Sequence, residues 1–276
     1  MHRVLKIKNN PEITDIYTAF SQEFGPQFRF RGETHDFWEL VCVTEGQISV
    51  AADSKIFTLK KGQAILHSPM QFHNITAMGS GSSSITVFSF SGNNIPHLEN
   101  KVVEIGNFSR VKQLLELARK HFVIRHHFSI KEPKQKGSAH LLYVKRLELF
   151  LLELAEGYGT NSSKLSKGAE NYAFIIKTIN NNIEKRLSVT DLAALCNMSE
   201  INLQKTFSHY AGVGIMEYFN RIKMQRAAQL LNEGHSVKQA ALQVGFHDQN
   251  YFSTVFKRIT GHTPSRYKLK TEDDVK

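Results

Sequence analysis

The chain has 276 residues, 41% of them hydrophobic and 22% charged, with a net charge of +10 and a pI near 9.5. That length leaves room for two domains with ordinary cores, and no apolar run of about 18 residues exists to cross a bilayer as a helix. The start, MHRVLKIKNNPEITD, lacks the apolar core and small-residue cleavage site of a secretory signal, and the two cysteines, Cys42 and Cys196, sit far apart in apolar runs. A disulfide framework is therefore not expected, and a reducing cytoplasm is.

The surplus of positive charge suits a polyanionic partner, but it does not say which half meets one. Residues 170–270 hold 13 Lys/Arg against 7 Asp/Glu, and residues 1–169 hold 21 against 15. The surplus is the same in both halves, so the assignment must come from motifs.

Residues 1–107 carry short apolar-rich segments at Gln27–Arg31, Trp38–Val43, Gln47–Ala52, Lys55–Leu59, Ala64–Leu66 and Ser84–Phe90. Turn formers such as Glu45-Gly46, Lys61-Gly62 and Ser68-Pro69 separate them. Such spacing predicts a β-sandwich or small barrel. From Phe108 the period becomes helical, first through Val111, Leu114, Leu115 and Ala118 and then through Leu141–Leu154, with a polar loop Ser129–Ser138 between. The helix His140–Glu156 is apolar on more than one face and is expected to pack both on its own domain and on a second copy of the chain. The small polar run Gly159–Gly168 reads as a linker. Three divisions follow: residues 1–158 for the first domain, 159–169 for the linker, and 170–270 for the second domain.

After an amphipathic helix at Ala173–Ile183, the chain repeats itself. Ser188, Val189, Ala193, Asn197 and Met198 match Ser236, Val237, Ala241, Gly245 and Phe246 at a separation of 48. Beyond the turn the offset is 49, pairing Leu203, Phe207, Gly212 and Tyr218 with Phe252, Phe256, Gly261 and Tyr267. Asn and Gly at the turn suit a left-handed backbone, and Ser199 and Asp248 suit helix N-caps. Leu192, Ala193, Leu195, Met198, Leu203, Phe207 and Tyr210 are the expected core of the first unit. Between the units, Val213–Leu231 reads as one helix of about 28 Å. That is close to the 34–36 Å or so of one turn of B-DNA, enough to hold two recognition helices in successive major grooves. Two helix-turn-helix units at a fixed separation point to a reader of double-stranded DNA.

These residues resemble the AraC/XylS family of bacterial transcription regulators. The match is most specific in A-x-x-x-G-F-x-D-x-x-Y-F-x-x-x-F-K-x-x-x-G-x-T-P-S-x-Y, complete from Ala241 to Tyr267. One departure is Lys223 on the connecting helix, where many members carry Arg; the charge is kept and the planar fork lost. The resemblance maps base-reading positions onto Ile201, Asn202, Gln204 and Lys205 in the first unit and onto Gln249, Asn250, Ser253 and Thr254 in the second. Gln and Asn can take an adenine edge, Lys a guanine, and Ile a thymine methyl. Lys257, Arg258, Arg266 and Lys268 are the expected phosphate contacts. RNA polymerase is a further partner that the resemblance implies, together with an activating role.

The first half resembles the cupin-like sensing domain of the same family, through Thr34–Leu40, Glu45-Gly46, Lys61-Gly62, Pro69 and His73. The fold class is thus α+β in two domains: a cupin-like β jelly roll with dimerisation helices, then an all-α tandem helix-turn-helix. The implied partner is a small-molecule effector, a sugar or related metabolite, with Arg29, Arg31, His35, Glu39 and His73 as the expected lining. His35, Glu39 and His73 could also hold Zn, Fe or Mn, with Glu33 where metal-binding cupins place their first His. Gln71 and the short P-x-x-x-H spacing depart from that pattern, so no metal, cofactor or catalytic residue is assigned. The alternatives are a metal-dependent sugar-modifying cupin enzyme fused to a DNA-binding module, and a constitutive regulator without an effector.

Overall fold

The computed structural model describes residues 10–124, 129–134, 138–156 and 167–267. The chain divides into two compact units, Met1–Lys164 and Leu165–Lys276.

The first unit is built on β1 (Glu12–Phe24), β2 (Arg29–Glu33), β3 (Trp38–Glu45), β4 (Gln47–Ala52), β5 (Lys55–Lys60), β6 (Gln63–His67), β7 (His73–Ala77), β8 (Ser83–Asn93) and β9 (Val102–Glu104). They form two antiparallel sheets, ordered β1-β8-β3-β6-β9 and β2-β7-β4-β5. Alternation along β3 and β8 explains how one sheet serves two cores. Val41, Val43, Ile85 and Val87 meet Ile48, Val50 and Ile75 of the other sheet. Leu40, Cys42, Phe88 and Phe90 point the opposite way, onto the helices α1 (Ser109–His121) and α2 (Leu141–Glu156). With both faces covered, the central strands read as continuous apolar runs rather than alternating ones.

Three strands escape the apolar pattern. β1 mixes polar and apolar residues and pairs along β8 through two register shifts, with an isolated bridge from Thr18 to Ser129. β7 reads His-Asn-Ile-Thr-Ala, yet four of its five residues are buried; its polar groups find partners, as where Asn74 Oδ1 accepts the Ala51 N–H at 3.0 Å. β9 is only three residues long. The segment expected to be a loop around Pro133 instead forms a ribbon of β10 (Phe122–Ile124) and β11 (Ile130–Pro133). Pro133 is tolerated because it ends an edge strand.

Helix α2 is held from inside by Glu148, whose carboxylate accepts the Ile13 backbone N–H at 2.9 Å. At 100° per residue its buried apolar residues, Tyr143, Leu147, Phe150, Leu151 and Leu154, share one side. Leu141, Leu142, Leu149 and Leu152 share the opposite side, 41–48% exposed.

The second unit is all helical: α3 (Lys167–Asn180), α4 (Val189–Leu195), α5 (Glu200–Ala211), α6 (Ile215–Asn232), α7 (Val237–Gln243) and α8 (Gln249–Thr260). Helix α3 begins at Lys167, ahead of Ala173, because Ala169 and Tyr172 already pack inward; residues 159–166 of the expected linker lie outside the described residues. Ser188 and Ser236 each close a capping box at the start of α4 and α7. Ser199 and Asp248 accept backbone N–H groups at the start of α5 and α8. Asn197 and Gly245 occupy the left-handed turn position of each unit, with φ of 53° and 74°. Leu195, expected in the first core, is 47% exposed and takes no part in it. Tyr172 of α3 takes that place against Phe207, ring centroids 5.6 Å apart.

Candidate functional site

Two places in the molecule present organised chemistry, one in each unit. In the second unit, the buried sides of α5 and α8 are set by Leu203 and Phe207 and by Phe252, Val255 and Phe256. The opposite sides are therefore turned to solvent. Ile201, Asn202, Gln204 and Lys205 are exposed on α5, and Gln249, Asn250 and Thr254 on α8, while Ser253 is half-buried. Ile201 is 80% exposed, far more than any other large apolar residue described. It takes no part in the core and stands among the polar side chains of the outward face. Ser253 and Thr254 turn their hydroxyls back onto the Gln249 and Asn250 carbonyls at 2.8 and 3.0 Å, leaving oxygen lone pairs outward. Lys257, Arg258 and Arg266 are exposed near the ends of these elements; Lys268 lies outside the described residues.

The two units of the repeat are tied together by a residue whose role the sequence concealed. Lys223 of α6 is 3% exposed. Its Nζ donates to the carbonyls of Lys185 and Val244, both at 2.7 Å, and stands 4.6 Å from the Phe219 ring. Burial pulls its ammonium down to about 8, with Glu184 opposing. Lys223 thus holds the loop before α4 against the turn before α8, and a bidentate fork is not what the position uses. The sites it joins border an open groove of about 520 Å³ lined in part by Arg186, Asn220 and His247, residues that no sequence motif marks.

In the first unit, a cavity of about 320 Å³ lies between the sheets, lined by Phe20, Phe24, Phe28, Phe30, Ile75 and Val87, with Glu33, Glu39, His73 and Ser89 among its polar groups. Arg29 and Arg31, expected in this lining, are not part of it. Both are exposed on the outer face of β2, and the alternating Phe28 and Phe30 face the cavity in their place. The register shift between Phe30 and Glu33 then returns Glu33 to the inner face opposite His73. Gly32 makes that shift possible: its φ is +83°, and a Cβ there would lie 2.9 Å from the His73 carbonyl.

His35, Glu39 and His73 converge, with His35 placed in the loop after β2 and Glu39 and His73 on β3 and β7. The His35 Nδ1 bonds the Phe37 carbonyl at 2.9 Å, which aims Nε2 at Glu39 Oε2, 3.7 Å away. That is too long for a hydrogen bond, and His35 Nε2 is buried with no partner. His73 Nδ1 bonds the Gln71 carbonyl at 3.1 Å, and its Nε2 meets Glu39 Oε1 at 3.1 Å. Ser89 donates to Glu39 Oε2 at 3.1 Å. His67, at the end of β6 and unmarked by any sequence motif, stacks on His73 with centroids 4.1 Å apart and planes 9° apart.

Charge in this cluster is set by competing effects. Burial alone would raise the Glu39 carboxyl, but the His73 hydrogen bond and the neighbouring imidazoles outweigh it and hold Glu39 at about 2. Burial alone would lower His73, yet its bond and proximity to Glu39 raise it. His67, without a carboxylate partner, is pushed by burial to about 3, and burial likewise lowers His35. The result is a buried Glu39–His73 pair flanked by two neutral imidazoles.

Comparison with known proteins matches residues 192–270 to a family described as a helix-turn-helix domain, and residues 20–101 to one described as an AraC-like ligand binding domain. The chain is 30% identical over 95 residues to the bifunctional transcriptional activator/DNA repair enzyme AdaA of Bacillus subtilis, covering 34% of this chain and 45% of that protein. It is 22% identical over 248 residues to the HTH-type transcriptional activator RhaR of Mannheimia succiniciproducens, covering 86% of each. Among solved structures, ToxT of Vibrio cholerae aligns over 92% of this chain and 98% of its own at 16% identity, with a TM-score of 0.38. The match thus spans less than half the length of AdaA and most of the length of RhaR.

Proposed function

Because the chain belongs to the AraC/XylS family of transcription regulators with an N-terminal ligand-binding domain, we propose that it reads promoter DNA through α5 and α8 and answers to a small molecule held in the cavity of its first unit. The observation that carries the reading is the pair of exposed polar faces, each built on the same cap and left-handed turn, with Ile201 standing 80% exposed in one of them. In this reading Ile201, Asn202, Gln204 and Lys205 meet bases in one major groove. Gln249, Asn250, Ser253 and Thr254 meet bases in the next, and Lys257, Arg258, Arg266 and Lys268 hold phosphates. Helix α6 has 18 residues, about 27 Å, which suits two grooves on one side of the duplex.

The cavity supports a sensing role over a constitutive one, since its size and mixed lining are those of a small-molecule site. Phe20, Phe28 and Phe30 would take the flat C–H face of a sugar or related metabolite, with Glu39 and Ser89 for its hydroxyls. The exposed leucines of α2 pair two copies, and the ligand shifts the share of DNA-competent dimer. Activation through RNA polymerase completes the reading, with no reaction assigned. Selection of bound fragments from random duplex DNA, with and without candidate metabolites, tests it. The expected result is one enriched sequence whose recovery changes with a metabolite; no enrichment under any condition would sink it.

A further inference from the structure

We propose that the cavity of the first unit selects a small organic molecule bearing a protonated amine, with Glu33 and Glu39 as its counter-charges. This rests on that cavity being the effector site, and it narrows the effector to a cation.

The lining is negative. Its ionisable side chains are Glu33, Glu39 and His73. Two carboxylates face at most one imidazolium, so the sum stays negative whichever form His73 takes. No Lys or Arg stands among the lining residues. A sugar acid, a phosphate ester or a fatty acid would give up hydration there and meet like charge. An ammonium brings the opposite sign.

The hydrogen bonds of the lining also run one way. Ser89 donates to Glu39 Oε2 at 3.1 Å, so the 2.6 Å bond between Thr18 and Ser89 takes its proton from Thr18. The His73 Nδ1 is turned to the Gln71 carbonyl, and its Nε2 to Glu39 Oε1. These hydrogens are all spent within the protein, and what Thr18, Ser89 and the carboxylates still offer a ligand is lone pairs. Apart from the exposed Gln22, the polar side chains of the cavity are therefore acceptors. An ammonium has three donors and no acceptor, which matches such a lining. The hydroxyls of a neutral sugar bring acceptors of their own, and burial leaves those unanswered.

The apolar remainder suits the body that carries the charge. Phe20, Phe24, Phe28 and Phe30 wall the cavity, and the negative face of an aromatic ring attracts a cation. Glu39 is buried and Glu33 is 47% exposed in its side chain. One counter-charge is thus enclosed and the other is open to solvent.

The test is calorimetric titration of the full-length protein, in the presence of chelator, with two matched sets of compounds. One set is glucosamine, glucose and glucuronate; the other is 2-phenylethylamine, 2-phenylethanol and 3-phenylpropionate. They separate an amino sugar from an arylalkylamine. The expected result is that in one set the amine binds roughly tenfold or more tightly than its neutral partner, the scale of one charge-assisted hydrogen bond, and the acid does not bind. Glu33→Gln should keep the wild-type thermal melt and reduce that preference by roughly tenfold. Neutral or acidic compounds binding as well as the amines, no binding by either amine, or an amine preference untouched in Glu33→Gln would overturn the proposal. If the DNA fragments selected from random duplex respond instead to a neutral or acidic metabolite, the regulator reading stands and the amine falls.

Discussion

Gly245 has no side chain because the backbone carbonyl of Glu184 occupies the place where a Cβ would stand. The glycine also has φ of +74° and lies beside Lys223, whose Nζ holds the adjacent Val244 and Lys185 carbonyls. The left-handed turn of the second repeat and the loop before the first are thus packed backbone to backbone. Gly245→Ala should cost about 2–4 kcal/mol from left-handed strain and overlap together. Gly261→Ala, with a similar φ and nothing within 4 Å of its Cβ position, should cost only the strain, about 1–2 kcal/mol. Urea unfolding of the two variants measures the difference; equal costs would show that the close approach to Glu184 is unimportant.

Lys223 makes a pH prediction. Its folded value of about 8 lies below the ordinary 10.5. Below pH 8 both states hold the proton, and the folded state bears the desolvation cost. Between about 8 and 10.5 only the unfolded chain still holds it, so the unfolded state binds more protons and stability rises with pH. Lys223→Met leaves the Lys185 and Val244 carbonyls unpartnered and should lose about 2–4 kcal/mol at pH 7. The gap in urea midpoint between wild type and this variant should widen from pH 8 to pH 10. A constant gap would mean that the two carbonyls compensate the ammonium fully.

Base and phosphate residues should separate by salt and sequence. Gln249→Ala should weaken binding to a selected site by about 1–3 kcal/mol while leaving random DNA nearly unchanged. Lys257→Ala should weaken both and lower the slope of log affinity against log salt by about one. Fluorescence anisotropy at several salt concentrations distinguishes them; equal losses of Gln249→Ala on both DNAs would contradict a base-reading role.

The outer stripe of α2 should control assembly. Leu149 and Leu152 are 45% and 41% exposed, on the side away from the buried Tyr143, Leu147, Phe150 and Leu154. Changing both to Glu should turn a dimer into a monomer in sedimentation, with the circular dichroism spectrum kept, because neither side chain supports the core. A monomeric wild-type protein would remove the premise.

The tandem helix-turn-helix was legible almost residue by residue, because its signals are local. Capping serines lie three residues from the N–H they accept, as with Ser188 and Asp191, and Asn197 and Gly245 announce a left-handed turn by type alone. The strong strands β3 to β6 were legible for a similar reason, as continuous apolar runs between turns. The strands β1 and β7 were not. Their pairing comes from partners far along the chain, and polar residues interrupt the apolar ones in both.

By itself, then, the amino-acid order determined two domains, the repeated DNA-reading module, and which faces of its helices point outward. The alternation Phe28-Arg29-Phe30-Arg31 already offered the phenylalanines to one face, but tertiary structure alone decided that Glu33 joins them there, through the register shift between Phe30 and Glu33. It also decided that Glu33 and His35 reach Glu39 and His73, and that Lys223 holds two carbonyls. Among these contacts, Glu39 meets His73 and Lys223 meets Lys185, 34 and 38 positions apart, where only the packed fold sets the distance.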